Sequence, residues 1–289
     1  MLSLLKQTAS EWMEDDAPTL GAALAYYTVF SLAPLMTIAI AMAGLFFGKE
    51  AAQGQIFDEL RVLLGEEGGK AVEEMVQSAN AQPTAGVVAT IISVIMLLFG
   101  ASGVFGQLQA SLNAIWGVKA KPGRGVLGLI KDRLLSFGFT LVVGFLLLVS
   151  LLLTAGMALM ADWIGGLMPG SEALAYILNI VLSLSMITLL FATIFKFLPD
   201  AKIAWHDVWI GAFLTALLFT IGKFALGIYL GKSGVASSYG AAGSLIVLLL
   251  WVYYSSQILF FGAEFTQVYA NRFGSRVAPA DNAVPVQQS

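Results

Sequence analysis

The run from Ser244 to Ala270, SLIVLLLWVYYSSQILFFGAEFTQVYA, constrains this chain more than any other stretch. It opens with enough consecutive apolar residues to cross a bilayer, because about 20 helical residues rising ~1.5 Å each span the hydrocarbon core. It also carries Ser255, Ser256, Gln257 and Glu264. A carboxylate at the centre of a membrane helix costs ~2.5–3.5 kcal/mol on insertion scales. Glu264 is therefore expected to face other helices, water or an interface.

The rest of the chain belongs to the same environment. Hydrophobic residues make up 58% of it and charged residues 11%, where a soluble domain carries roughly 25% charge. A formal net charge of −3 is too small to attract nucleic acid by bulk electrostatics, so no nucleic-acid partner is expected. The absence of cysteine removes disulfides, thiolate nucleophiles and Cys-based metal sites. With His206 as the one histidine, zinc hydrolysis would rest on scattered carboxylates, which is poor metal chemistry. Gly231-Lys232-Ser233 resembles the end of a phosphate-binding loop, but Leu226 stands where that loop needs glycine. Membrane segments consume most of the 289 residues, leaving no room for a large catalytic domain. The reading is an all-α, polytopic membrane protein with no enzymatic activity, no metal and no cofactor.

Residues 2–16 read as an interfacial amphipathic helix, with Leu5, Ala9, Trp12 and Met13 on one face and Glu11, Glu14, Asp15 and Asp16 toward its end. Residues 1–19 form this cytoplasmic segment and 20–270 the membrane domain. Its first span runs from about Leu20 to Phe47, where Pro34 should open a turn near Ser31 by removing one backbone donor. Residues 48–83 are acidic, with apolar positions at Ile56, Leu60, Leu64, Val72 and Val76 interrupted by Gly65, Gly68 and Gly69. They predict two short helices forming an extramembrane cap. A second span covers about 84–115; its Gly100, Gly103 and Gly106 suit close helix packing, or a broken helix. Further spans are expected over 134–160, 175–198, 208–230 and 243–270, six in all. Residues 271–289, with Pro279 and Pro285, are expected to be a disordered tail.

Lysine and arginine set the orientation. Lys6, the five cations from Lys119 to Arg133, Lys196, Lys202, Arg272 and Arg276 collect on one side of this topology, and both termini are assigned to the cytoplasm. Tyr26, Tyr27, Gln107, Gln109, Asn113 and Glu264 then fall in the cytoplasmic part of the membrane. They could line a polar vestibule, or simply hydrogen-bond helices together. A Glu264–Lys223 ion pair is not expected, since Lys223 falls in the outer half.

Three stretches carry a family resemblance: LGAALAYYTVFSLAPL at 20–35, LFGASGVFGQLQASLNAIWGV at 98–118, and SSYGAAGSLIVLLLWVYYSSQILFFGAEFTQVYA at 237–270. Together they resemble the YihY/BrkB family of bacterial inner-membrane proteins, over about Leu20 to Arg272. The resemblance implies six helices with both ends cytoplasmic and a multi-pass location in the bacterial inner membrane. It brings a link to virulence and serum resistance, and an older label as a tRNA-processing ribonuclease that these residues do not support. No catalytic residues come with it.

The preferred expectation is passage of a small solute, ion or lipid. Tyr26, Tyr27, Gln107, Asn113 and Glu264 are the candidate binding residues, and membrane lipids and a second copy of the chain the expected partners. The alternative is a non-transporting scaffold for envelope assembly that uses the acidic 48–83 segment. An RNA-processing enzyme is the remote third.

Overall fold

A computed structural model describes residues 2–80, 103–121, 171–233 and 243–286. The expected third span, Gly100, the basic loop beyond Lys121, and the packing glycines Gly138, Gly144 and Gly156 lie outside the described residues.

The chain is mostly helical. α1 (Leu2–Glu14) meets α2 (Ala17–Phe47) at a sharp corner. Asp16 takes the left-handed conformation there (φ 51°), and Pro18 occupies the first turn of α2, where its missing N–H would have had no intrahelical acceptor. α2 continues unbroken through Pro34, so no break interrupts the helix at the position expected to open. After α3 (Lys49–Asn80) come α4 (residues 103–115), α5 (Ser171–Phe197), α6 (Trp205–Ser233) and α7 (Gly243–Phe273).

α3 is one helical element where the glycine pattern predicts two, yet the prediction captures its shape. Arg61 donates to Glu73 at 2.7 Å, and a Cβ on Gly69 would lie 2.8 Å from the Arg61 Cα. A straight helix would separate residues 61 and 73 by ~18 Å, so α3 doubles back between Arg61 and Gly69. Nor does it stand free as a cap. Phe57, Val72 and Val76 pack with Ile40 of α2 and Leu248 of α7 in a core of their own.

Three described helices have apolar windows long enough to cross a membrane: Ile180–Phe197 in α5, Trp205–Leu230 in α6 and Leu245–Phe273 in α7. Their outward surfaces carry exposed Ile180, Val181, Phe213, Ile221, Phe224 and Ile228. Such a surface is a liability in water but suits lipid. The main core lies between these helices, α4 and the start of α2, built on Leu112, Ile115, Trp116, Phe195, Val208 and Phe260. Ala192, Ala212, Ala216 and Ala263, all fully buried, let the backbones approach.

The α6–α7 contact is the tightest. Thr215 of α6 sits over Gly262 of α7, and Thr266 of α7 over Gly211 of α6; a Cβ on either glycine would stand 2.8 Å from the facing threonine Cβ. Each threonine hydroxyl returns to the carbonyl four residues back on its own helix, Thr215 to Gly211 and Thr266 to Gly262, both at 2.7 Å.

The tail differs most from expectation. β3 (Ala278–Pro279) pairs antiparallel with β2 (Ala201–Lys202), and β4 (Ala283–Pro285) with β1 (Val118–Ala120). Residues 274–286 are thus not disordered: they bind the segment after α4 and the turn between α5 and α6. α1 packs there too, with Leu4 against Phe265 and Val268 of α7. Both ends of the described chain therefore lie at the same end of the bundle.

Candidate functional site

α7 carries a polar line through an otherwise apolar helix. Gln257, Glu264 and Gln267 are separated by seven and three residues, which places them on one helical face. At its lower end the Gln267 side chain donates to the Ile115 carbonyl at 3.1 Å, satisfying one of the orphan acceptors at the end of α4. At its upper end α2 passes close by. Gly21 lies directly on the Gln257 amide, and a Cβ there would come within 2.9 Å of the Ser256 hydroxyl. Neither atom of that amide has a hydrogen-bond partner among the described residues.

Glu264 stands between the two glutamines and is fully buried. Both of its carboxylate oxygens lack a hydrogen-bond donor among the described residues. Its neighbour is another acid: Asp15, at the α1–α2 corner, approaches closely enough to interact but does not meet hydrogen-bond geometry. Glu11 and Glu14 add negative charge from α1. An ionised carboxylate buried without a counter-charge costs several kcal/mol, so this pocket of carboxyls calls for a positive occupant. Burial pushes the Asp15 carboxyl above the ordinary carboxylate range, reinforced by Glu11 and Glu14. The indole N–H groups of Trp12 and Trp116 are also buried without an acceptor among the described residues.

The other expected site residues are not all part of this constellation. Asn113 is committed elsewhere: its amide donates to the Asp200 carboxylate at 3.0 Å and accepts from the Asp200 backbone N–H at 2.8 Å. Asn282 of the tail donates to the same carboxylate. Asn113 thus clasps the turn between α5 and α6. Gln107 bonds within α4, to Ser111 at 3.3 Å. Tyr26 and Tyr27 are exposed at 59% and 43%; Tyr26 packs on Tyr27 and Phe30. Gly103 does serve packing, against Ser31 and Tyr27 at 3.4 Å, whereas Gly106 faces open space. Lys223 lies over the Phe224 ring. Its neighbour Gly222 meets Tyr254 and Ile258, which sets Lys223 about 9–15 Å along α7 from Glu264.

Asp15 was legible in the sequence only as part of an acidic helix end. The face that α1 buries is Leu4 and Thr8, whose spacing continues to Glu11, Trp12 and Asp15. Leu5 and Met13, expected on the buried side, are exposed. Asp207 was likewise read as a surface or capping group. It is buried, and accepts from the Ser275 backbone N–H at 2.9 Å and hydroxyl at 2.8 Å, tying α6 to the start of the tail.

Comparison with known proteins places these features in a family. The family model "Virulence factor BrkB" matches residues 8–286. A UPF0761 membrane protein of Pseudomonas paraeruginosa is 31% identical over 261 residues, 88% of this chain and 60% of the relative. One from Teredinibacter turnerae is 29% identical over 99% of this chain and 65% of the relative. One from Mannheimia succiniciproducens is 26% identical, covering 85% and 82%. The chain thus spans about 60% of the length of the Pseudomonas relatives it matches. No solved structure matches it.

Proposed function

The chain belongs to the virulence factor BrkB family of membrane proteins, and on that premise we propose that it provides passage for a small solute, ion or lipid across the bacterial inner membrane. The observation that carries the reading is Glu264: a fully buried carboxylate, within an apolar helix long enough to span the membrane, with both oxygens unpartnered among the described residues. A merely structural acid in that position would have a donor or a cation against it. Gln257 and Gln267, on the same face, extend the polar line along the helix and can orient a ligand. Six crossings with both termini in the cytoplasm complete the proposal. It is supported by the lysine and arginine distribution, and by the gathering of α1, the α5–α6 turn and the tail at one end of the bundle.

Native mass spectrometry of gently purified wild type and Glu264→Gln tests this. A stoichiometric small molecule or lipid that leaves with the substitution is the expected result, and it names the substrate class. If both forms retain the same bulk lipids and nothing else, the acidic α3 segment becomes the functional surface and a scaffold the better reading.

A further inference from the structure

We propose that Asp15 and Glu264 together form a proton-binding site that controls the docking of α1: the corner closes over Glu264 while the pair holds a proton, and loss of that proton releases α1 and opens Glu264 to water. This deepens the passage reading by naming the proton as the ligand of its central carboxylate.

Three observations meet here. Glu264 is a fully buried, unpartnered acid aimed at the acidic end of α1. Two carboxyls sharing an apolar site cannot both ionise at ordinary cost, so the pair retains a proton. The second observation is the set of surroundings. The charged groups acting on Glu264 are Asp15, Glu11 and Glu14, with no lysine or arginine among them. α2 offers only the phenols of Tyr26 and Tyr27, and described α4 no titratable side chain. On α6, Asp207 is taken by Ser275 and Lys223 lies over Phe224. α3 brings charges, but it meets α7 around Leu248 and Val252, ~18 Å or more along the helix from Glu264. Among the described residues no three His, Cys, Asp or Glu side chains converge as a metal shell, which leaves the proton as the occupant. The third observation is mechanical. α1 is joined to α2 through the left-handed Asp16, a pivot immediately beside Asp15, and its own hold on α7 is a small patch of Leu4, Phe265 and Val268. Repulsion between two ionised carboxylates acts at the pivot, where it most easily swings a helix of 13 residues.

A hydrophobic carbodiimide, which attacks protonated carboxyls in apolar surroundings, reads the site directly. In membrane-reconstituted wild type at about pH 7, the Asp15–Glu264 pair should label at least ~10-fold faster than exposed Glu50 and Glu74, as retained protonation demands. In Asp15→Asn the pH midpoint of Glu264 labelling should fall by about one unit or more, since the like-charged neighbour is gone. Hydrogen exchange, corrected for its intrinsic pH dependence, should show α1 losing protection above the labelling midpoint in wild type but staying protected in Glu264→Gln. Labelling no faster than at Glu50, or α1 protection independent of pH in wild type, overturns the proposal even if a variant fails to fold. Labelling reads protonation and not movement. Its failure therefore leaves the passage reading standing, while a labelled pair in a protein that carries no ligand removes only that reading.

Discussion

A carboxyl at the end of an amphipathic helix and a carboxyl 249 residues later have no visible relation until the chain folds. Asp15 then loses water and gains Glu11 and Glu14 as neighbours, so its folded proton affinity exceeds its unfolded one. The sign of the linkage follows. A raised carboxylate contributes stability that is fully present below the unfolded value of 3.8 and lost as pH rises through the folded value. Thermal unfolding in detergent should therefore show wild type gaining stability relative to Asp15→Asn as pH falls through the mildly acidic range above 3.8. A difference between the two that does not change with pH would falsify the buried placement of Asp15. Asn113 teaches the converse. Its position in a polar stretch suggested a ligand group, but the structure spends both ends of its amide on Asp200. An amide's chemistry is identical in the two roles, and only its partners separate them.

At the scale of elements, the glycines divide by what faces them. Gly211 and Gly262 each receive a threonine from the other helix, and the two four-residue spacings, Gly211 to Thr215 and Gly262 to Thr266, interlock in an antiparallel pair. Apolar helices in lipid have little hydrophobic reason to associate, so close backbone approach supplies the contact. Gly211→Ala or Gly262→Ala should lower stability by about 1–3 kcal/mol through overpacking. Adding Thr266→Gly to Gly211→Ala should recover most of that loss, because the new methyl then has the room the threonine vacated. Additive losses in the double variant, measured by unfolding in detergent, would show that the two residues do not meet. Hydrophobic length predicted the ends of α5, α6 and α7 within a few residues. It missed which face of α1 is buried, since Leu4 and Leu5 are equivalent in hydropathy and only the groove on α7 chooses between them.

Across the whole molecule, the tail acts as a belt. Lys202 donates to Asp281 at 2.5 Å and Lys121 to the Asp281 carbonyl at 2.7 Å, and Asn282 reaches Asp200. The Lys202 ammonium beside Asp281 holds that carboxyl below its usual range, so this link persists above the ordinary aspartate value and is lost only as pH falls through the depressed one. Deleting residues 274–286 should lower Tm by roughly 2–6 °C and admit protease at 117–121 and 198–204. Unchanged cleavage there would mean that the belt is not closed in solution. Composition alone marked this segment as disordered because it carries few large apolar residues. Its order comes from backbone pairing with β1 and β2, which composition does not register.

Taken alone, the sequence determined the medium, the helical class, the positions of the long apolar helices and the family. Each rests on properties that accumulate along the chain: hydropathy over some 20 residues, charge between spans, motifs of contiguous residues. Tertiary structure alone decided that α3 doubles back, that the tail pairs with two distant loops, and that Glu264 meets Asp15 rather than Asn113 or Lys223. Those outcomes depend on which surfaces come within a few ångströms of one another. Hydrogen bonds and like-charge repulsion act at that range, and it is unrelated to separation along the chain.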